Sequence, residues 1–135
     1  MKRGGDGVPV SKATLKYYRC SPQKARLVAD QIRGLDVNGA MSLLQLSPKA
    51  VARPMEKLLR SVVANAEAGE ERIDVDTLYV GEVFVGQGPT FKRFRGRAFG
   101  RAFMILHRTC HITIKLFGPR GETAPAQASA TVSGT

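Results

Sequence analysis

The residues best equipped for chemistry form one run, Phe91-Lys92-Arg93-Phe94-Arg95-Gly96-Arg97-Ala98-Phe99-Gly100-Arg101, in which aromatic and cationic side chains interleave. No Asp or Glu occurs from residue 83 to residue 121, a stretch that carries Lys92, Arg93, Arg95, Arg97, Arg101, Arg108, Lys115 and Arg120. Guanidinium groups bind phosphate bidentately and stack on planar groups. Phenylalanine rings stack on unpaired bases. The pattern therefore suits a polyanion that also presents flat apolar faces, and RNA supplies both. Gly96 and Gly100 lack side chains, so the backbone can turn tightly or approach RNA closely there. A solvated loop whose charges serve only solubility has no need of Phe between its Arg residues.

A second basic set, Lys12, Lys16, Arg19, Lys24 and Arg26, surrounds the start of the first predicted helix. A helix N-terminus favours phosphate, although a solvated face accounts for these residues equally well. His107 and His111 are the only histidines. No HExxH pattern, Cys cluster or carboxylate set surrounds them, so no metal site is expected. His111 reads as a hydrogen-bond donor to RNA or as a satisfied strand residue. Gly86-x-Gly88 lacks the third glycine and the following helix of a dinucleotide site. Glu67, Glu70, Glu71, Asp74, Asp76 and Glu82 fall in or near a polar connection, where solvation explains them better than acid/base work. The expectation is a binding protein with no enzymatic activity and no cofactor.

Bulk composition agrees. The 135 residues include 21 Lys+Arg against 11 Asp+Glu, a net charge of +10 and a pI near 10.2. That length suits one domain with a modest core. So positive a surface repels itself and is usually matched to a polyanion, either nucleic acid or an anionic membrane. Cys20 and Cys110 are too few for a disulfide framework; buried free thiols are the expected state, with a single bridge left open. The N-terminal Met1-Lys2-Arg3 runs into Gly4-Gly5-Asp6-Gly7 instead of an apolar segment, unlike a secretory signal. The expectation is a soluble intracellular protein, or one held by its partner.

Elements must position these groups. Ser21-Pro22 predicts a capped helix start, with Ala25, Val28, Ala29 and Ile32 at helical spacing and Gly34 as the stop. A shorter helix follows Asp36 or Asn38, burying Ala40, Leu43 and Leu44. Ser47-Pro48 predicts a third helix, whose apolar stripe is Val51, Met55, Leu58, Leu59, Val62 and Ala66 and which ends near Gly69. Pro54 inside it predicts a kink or a distorted first turn. Glu56 and Arg60, four residues apart, are placed to pair. The period then changes. Residues 78–85 predict a strand, as do residues 104–117, where Leu106, Cys110, Ile112, Ile114 and Leu116 share a face. Between them, extended arms should lead up to Gly96–Gly100 and back. The fold class expected is α+β, with three helices packed on a small antiparallel sheet. Residues 1–11 read as a flexible lead-in, 12–117 as one domain and 118–135 as a disordered tail.

Several of these strings resemble one family. Residues 21–34, from Ser21-Pro22-Gln23-Lys24-Ala25-Arg26 to Ile32-Arg33-Gly34, are similar to the first-helix motif of the bacterial-type large-subunit ribosomal protein twenty-two family. Ala64-Asn65-Ala66-Glu67 resembles its third-helix end. Gly88-Pro89-Thr90-Phe91-Lys92-Arg93-Phe94-Arg95, Gly100-Arg101-Ala102 and Arg108-Thr109-Cys110-His111-Ile112-Thr113-Ile114 resemble its hairpin and last strand. The match covers about 12–117 in order.

The resemblance implies a three-stranded sheet and a long protruding β-hairpin over about 84–112. It implies binding to large-subunit ribosomal RNA by Lys92, Arg93, Arg95, Arg97 and Arg101; the residues' own chemistry adds Arg108, His111 and the basic set around helix one as candidate RNA contacts. The resemblance also implies a hairpin tip, Arg95, Gly96, Arg97, Ala98, Phe99, Gly100 and Arg101, that lines the nascent-polypeptide exit tunnel near the macrolide site. The partners implied are ribosomal RNA, neighbouring large-subunit proteins and the nascent chain, with no membrane and no homo-oligomer. The implied location is a cytoplasmic ribosome, an organellar one being compatible although no transit peptide is seen. Two positions depart from the family, which commonly has Pro at Gly96 and often a basic residue at Phe99; Gly96 should loosen the tip. The rival class is a DNA-architectural protein with a basic β-arm and Phe99 as its wedge.

Overall fold

The chain runs β1 (Ser11–Tyr18), α1 (Pro22–Ile32), α2 (Val37–Leu46), α3 (Ala52–Glu67), a 3-10 turn (Val75–Thr77), β2 (Tyr79–Gln87), β3 (Phe91–Gly96), a second 3-10 turn (Ala98–Gly100), β4 (Ala102–His107) and β5 (Cys110–Phe117) in a computed structural model. The structure describes residues 9–69 and 73–118. Most of the predicted lead-in (1–8), the tail from 119 onward, and Glu70 and Glu71 lie outside the described residues.

β5 holds the fold together. Its alternation puts Cys110, Ile112, Ile114 and Leu116 inward, each fully buried, with His111, Thr113 and Lys115 on the other face. It is the central strand of an antiparallel sheet of order β1-β5-β2. The three helices supply the opposing layer: α3 lies over β1 and β5, α1 over β2, and α2 against α3. Ala25, Val28, Ala29 and Ile32 of α1, Ala40 and Leu44 of α2, and Met55, Leu59 and Val62 of α3 join β5 in one core. Burying each large aliphatic side chain contributes about 1.5–3 kcal/mol. The fold class is thus α+β, as the order of apolar periods predicts.

Local signals explain the helix ends. Ser21 Oγ accepts the Lys24 amide, Pro22 opens α1, and Gly34 at φ 84° follows its end. The Arg33 guanidinium pairs with Asp30 at 2.7 Å and donates to the Val83 carbonyl at 2.7 Å, tying α1 to β2. Glu56 and Arg60 form the predicted ion pair.

Four expectations are corrected. Ser47-Pro48 ends α2 instead of starting α3. Ser47 caps α2 through its amide to the Leu43 carbonyl, and a residue before proline is driven to extended backbone. α3 therefore begins at Ala52, and Pro54 is its third residue. The amide that Pro54 lacks would have no acceptor within the helix anyway, so proline is tolerated there. Second, the end of the expected lead-in joins a strand: β1 begins at Ser11, and the Val10 amide donates to the Leu116 carbonyl. Its inward residues are only partly buried, Ser11 and Ala13 being small and Leu15 and Tyr18 packing on the core's edge, and a bulge between Leu15 and Tyr18 breaks its alternation. Third, residues 104–117 are two strands broken at Arg108-Thr109. Fourth, Leu106 is consequently exposed, apart from the inward face of β5. Cys20 and Cys110 are free thiols. Among the described residues, no helix is long and apolar enough to cross a membrane.

Candidate nucleic-acid interface

The β2–β5 pair continues outward as the β3–β4 ribbon, and the junction is pinned. The Gly88 amide donates to the Thr109 carbonyl at 3.0 Å, and Thr109 Oγ1 donates to the Pro89 carbonyl at 2.6 Å. Thr109 is 1 % exposed, the one buried polar residue among those described. Gly88 admits it because a Cβ there would collide with the Thr109 hydroxyl. Beyond this point every residue from 91 to 104 is exposed.

Register sorts the ribbon's side chains. Phe91 pairs with His107, Lys92 with Leu106, Arg93 with Ile105, Phe94 with Met104 and Arg95 with Phe103. Cross-strand partners share a face and alternate residues switch it. One face therefore carries Phe91, Arg93, Arg95, Phe103, Ile105 and His107, and the other Lys92, Phe94, Met104 and Leu106. Both faces mix cations with apolar groups, and neither is covered by another element of the fold. Phe94 is 75 % exposed. In water that arrangement is costly, because apolar area remains hydrated while like charges crowd together.

The tip is a five-residue turn, Arg97–Arg101, closed by the Arg97 amide donating to the Arg101 carbonyl at 2.7 Å. Gly96 stays in the ladder opposite Ala102. The left-handed positions are Phe99 (φ 64°) and Gly100 (φ 68°). A side chain at φ near +60° costs roughly 1 kcal/mol or more, so the strain sits on Phe99, whose ring is 98 % exposed.

The second basic set splits. Lys12, Lys16, Arg19 and Lys24 are exposed, with Lys12 and Lys16 on the sheet face that no helix covers. Arg26 is tied by its Nη2, which donates to the Val85 carbonyl at 3.2 Å. His111 accepts the Tyr17 amide at Nδ1 (3.1 Å), and the two rings meet edge to face. With Nδ1 occupied as acceptor, the ring's proton is on Nε2, leaving a donor. Tyr17 reaches this position through a left-handed backbone (φ 57°) at the β1 bulge. Nothing in the local sequence marks Tyr17 for that role. Lys115 pairs with Glu82 at 2.9 Å and lies over the Phe84 ring, so it is partly neutralised. Three ion pairs form among the described residues, and none involves the ribbon cations or those of residues 12–26.

The fold also brings together residues that are distant in sequence. Arg19 and Ser21 from the β1–α1 connection and Leu106, His107 and Arg108 from the β4–β5 junction line one open cleft. Leu106 and His107 are not marked as binding residues by the sequence. Burial pushes the Cys110 thiol and the Tyr18 hydroxyl above their ordinary pKa values, reinforced in both by neighbouring Cys20, so both are held in the protonated form. Neither is poised as a nucleophile. Among the described residues, no three of His, Cys, Asp and Glu converge to hold a metal.

Comparison with known proteins places this geometry. A profile described as Ribosomal protein L22p/L17e matches residues 13–117. The chain is 47 % identical over 108 residues to the large ribosomal subunit protein uL22 of Anaeromyxobacter sp. (strain K), covering 80 % of this chain and 74 % of that protein. It is 55 % identical over 104 residues to the protein of the same name from Magnetococcus marinus, covering 77 % of this chain and 91 % of the relative. The match spans the sheet, the helices and the whole basic ribbon, and the chain belongs to the ribosomal protein L22p/L17e family.

Proposed function

We propose that this protein is a structural constituent of the large ribosomal subunit, which binds the subunit's RNA and stabilises its fold. The β3–β4 ribbon reaches into the RNA and its tip, residues 95–101, lines the nascent-polypeptide exit tunnel. The observation that carries this reading is the ribbon itself: an acid-free two-stranded arm with cations and apolar groups on both faces and no protein layer over it. RNA would neutralise the cations and receive the rings, offsetting the cost of leaving both in water. The role is architectural, with no catalytic step. Neighbouring large-subunit proteins and the nascent chain are its further partners.

Phosphate neutralisation releases counterions, so affinity for ribosomal RNA falls steeply with salt. Replacing Lys92, Arg93, Arg95, Arg97 and Arg101 with Ala should lower the slope of log K against log salt by roughly 3.5–4.5. An unchanged slope would exclude the ribbon as the contact surface. Stoichiometric recovery with large subunits after high-salt washing tests the assembly directly.

The exposed Phe99 at the tip of a basic arm also fits a wedge that bends duplex DNA. Binding competition at matched salt separates the two. Preference for structured ribosomal RNA supports the ribosomal role, and equal or greater affinity for duplex DNA supports the rival.

A further inference from the structure

The cleft at the root of the ribbon has a composition that neither a solvated surface nor a plain phosphate site requires. It is an open, mostly polar cleft with a volume of about 430 Å³. Its two walls come from opposite ends of the chain, Arg19 and Ser21 on one side and Leu106, His107 and Arg108 on the other. Arg19 and Arg108 form no ion pair among the described residues, so the cleft concentrates positive charge. The His107 and Leu106 that help line it are both exposed. Ser21 Oγ is already engaged by the Lys24 amide, so Ser21 shapes the wall.

The cleft exists because the strand breaks. Thr109 turns inward to the Pro89 carbonyl, and Arg108 leaves the ladder, exposed. A continuous strand would have alternated Arg108 and Thr109 in register instead. The break is built, since it depends on a buried hydroxyl and on the missing side chain at Gly88.

We propose that this cleft receives one unpaired nucleotide extruded from RNA, its phosphate held by Arg19 and Arg108 and its base against the His107 ring. This rests on RNA being the ribbon's partner and adds a discrete site to it. A lone phosphate would leave the imidazole face without a role, whereas a nucleotide uses it together with the two guanidinium groups. Imidazole and guanidinium planes both stack on unpaired bases.

The test uses the full chain and two short RNA hairpins that differ by a single bulged adenosine, titrated at matched salt by fluorescence anisotropy. The bulged hairpin should bind about tenfold more tightly than the fully paired one. Arg19→Ala with Arg108→Ala should erase that difference, and His107→Ala should reduce the ratio of bulged to paired affinity several-fold. Circular dichroism checks folding, and Arg19→Lys with Arg108→Lys replaces the double alanine variant should that variant fail to fold. Equal binding of the two hairpins, or equal loss on both in the variants, would overturn the nucleotide site while leaving salt-dependent RNA binding intact. Failure to bind either hairpin or ribosomal RNA would instead overturn the broader ribosomal reading, and this site with it.

Discussion

Gly88 and Thr109 lock together across the root of the hairpin: the Gly88 amide donates to the Thr109 carbonyl at 3.0 Å, and the space a Gly88 side chain would fill is taken by the Thr109 hydroxyl. Outward of this contact lies the ribbon, exposed from residue 91 to 104, and inward of it lies the three-stranded sheet with its helices. The pair decides where one becomes the other.

Gly88→Ala should therefore destabilise the protein by about 1–3 kcal/mol, the usual cost of forcing a methyl group into filled space. Thr109→Val keeps the shape but removes the bond to the Pro89 carbonyl, and should cost about 0.5–1.5 kcal/mol. Urea unfolding measures both. A wild-type midpoint for Gly88→Ala would mean that the junction is not closed in this way.

Phe99→Asn should not harm the free protein. The ring is 98 % exposed, so little burial is lost, and asparagine tolerates the left-handed backbone that Phe99 holds at φ 64°. Amide exchange at Arg97, whose N–H closes the turn, should slow by a few-fold, corresponding to roughly 0.5–1 kcal/mol of relieved strain. Faster exchange would show that the phenyl ring itself stabilises the turn.

Arg26 and Arg19 should separate into two kinds of residue. Arg26→Ala removes the bond to the Val85 carbonyl and should lower stability by about 0.5–1.5 kcal/mol. Arg19→Ala breaks no hydrogen bond within the described structure and should leave stability within about 0.5 kcal/mol while weakening RNA affinity. Paired unfolding and binding titrations check this, and equal stability losses would contradict it.

Stability should decline in alkali. Burial raises the Cys110 thiol and the Tyr18 hydroxyl, so the folded state holds these protons more tightly than the unfolded chain does. Their contribution is fully present below the unfolded thiol value of about 8.5, and is lost as pH rises through it toward the folded values. The urea midpoint should fall between about pH 7.5 and 9.5, less steeply in Cys110→Ala, and Cys110 should resist alkylation while the protein is folded. A midpoint that rose over this interval would reverse the sign.

The sequence by itself determined the parts governed by neighbours a few residues apart. The Ser21 cap, the buried stripe of α1, the inward alternation of β5 and the Phe/Arg interleaving of residues 91–101 each follow from local spacing, and the structure has them in those places. Residues 47–54 show where local signals mislead. Ser-Pro is compatible with both a helix start and a helix stop; here Ser47 takes the extended backbone that ends α2, and α3 starts only at Ala52. Only the tertiary structure could make a strand of residues 11–18, whose partly buried inward side chains gain little until β5 and α3 lie against them. The same holds for the partnership of Tyr17 with His111, for the break at Arg108-Thr109, and for the cleft that joins Arg19 to Arg108. Each joins groups far apart along the chain. Capping and periodicity act over one or two turns, whereas these contacts depend on closing long loops, a cost that the assembled core offsets.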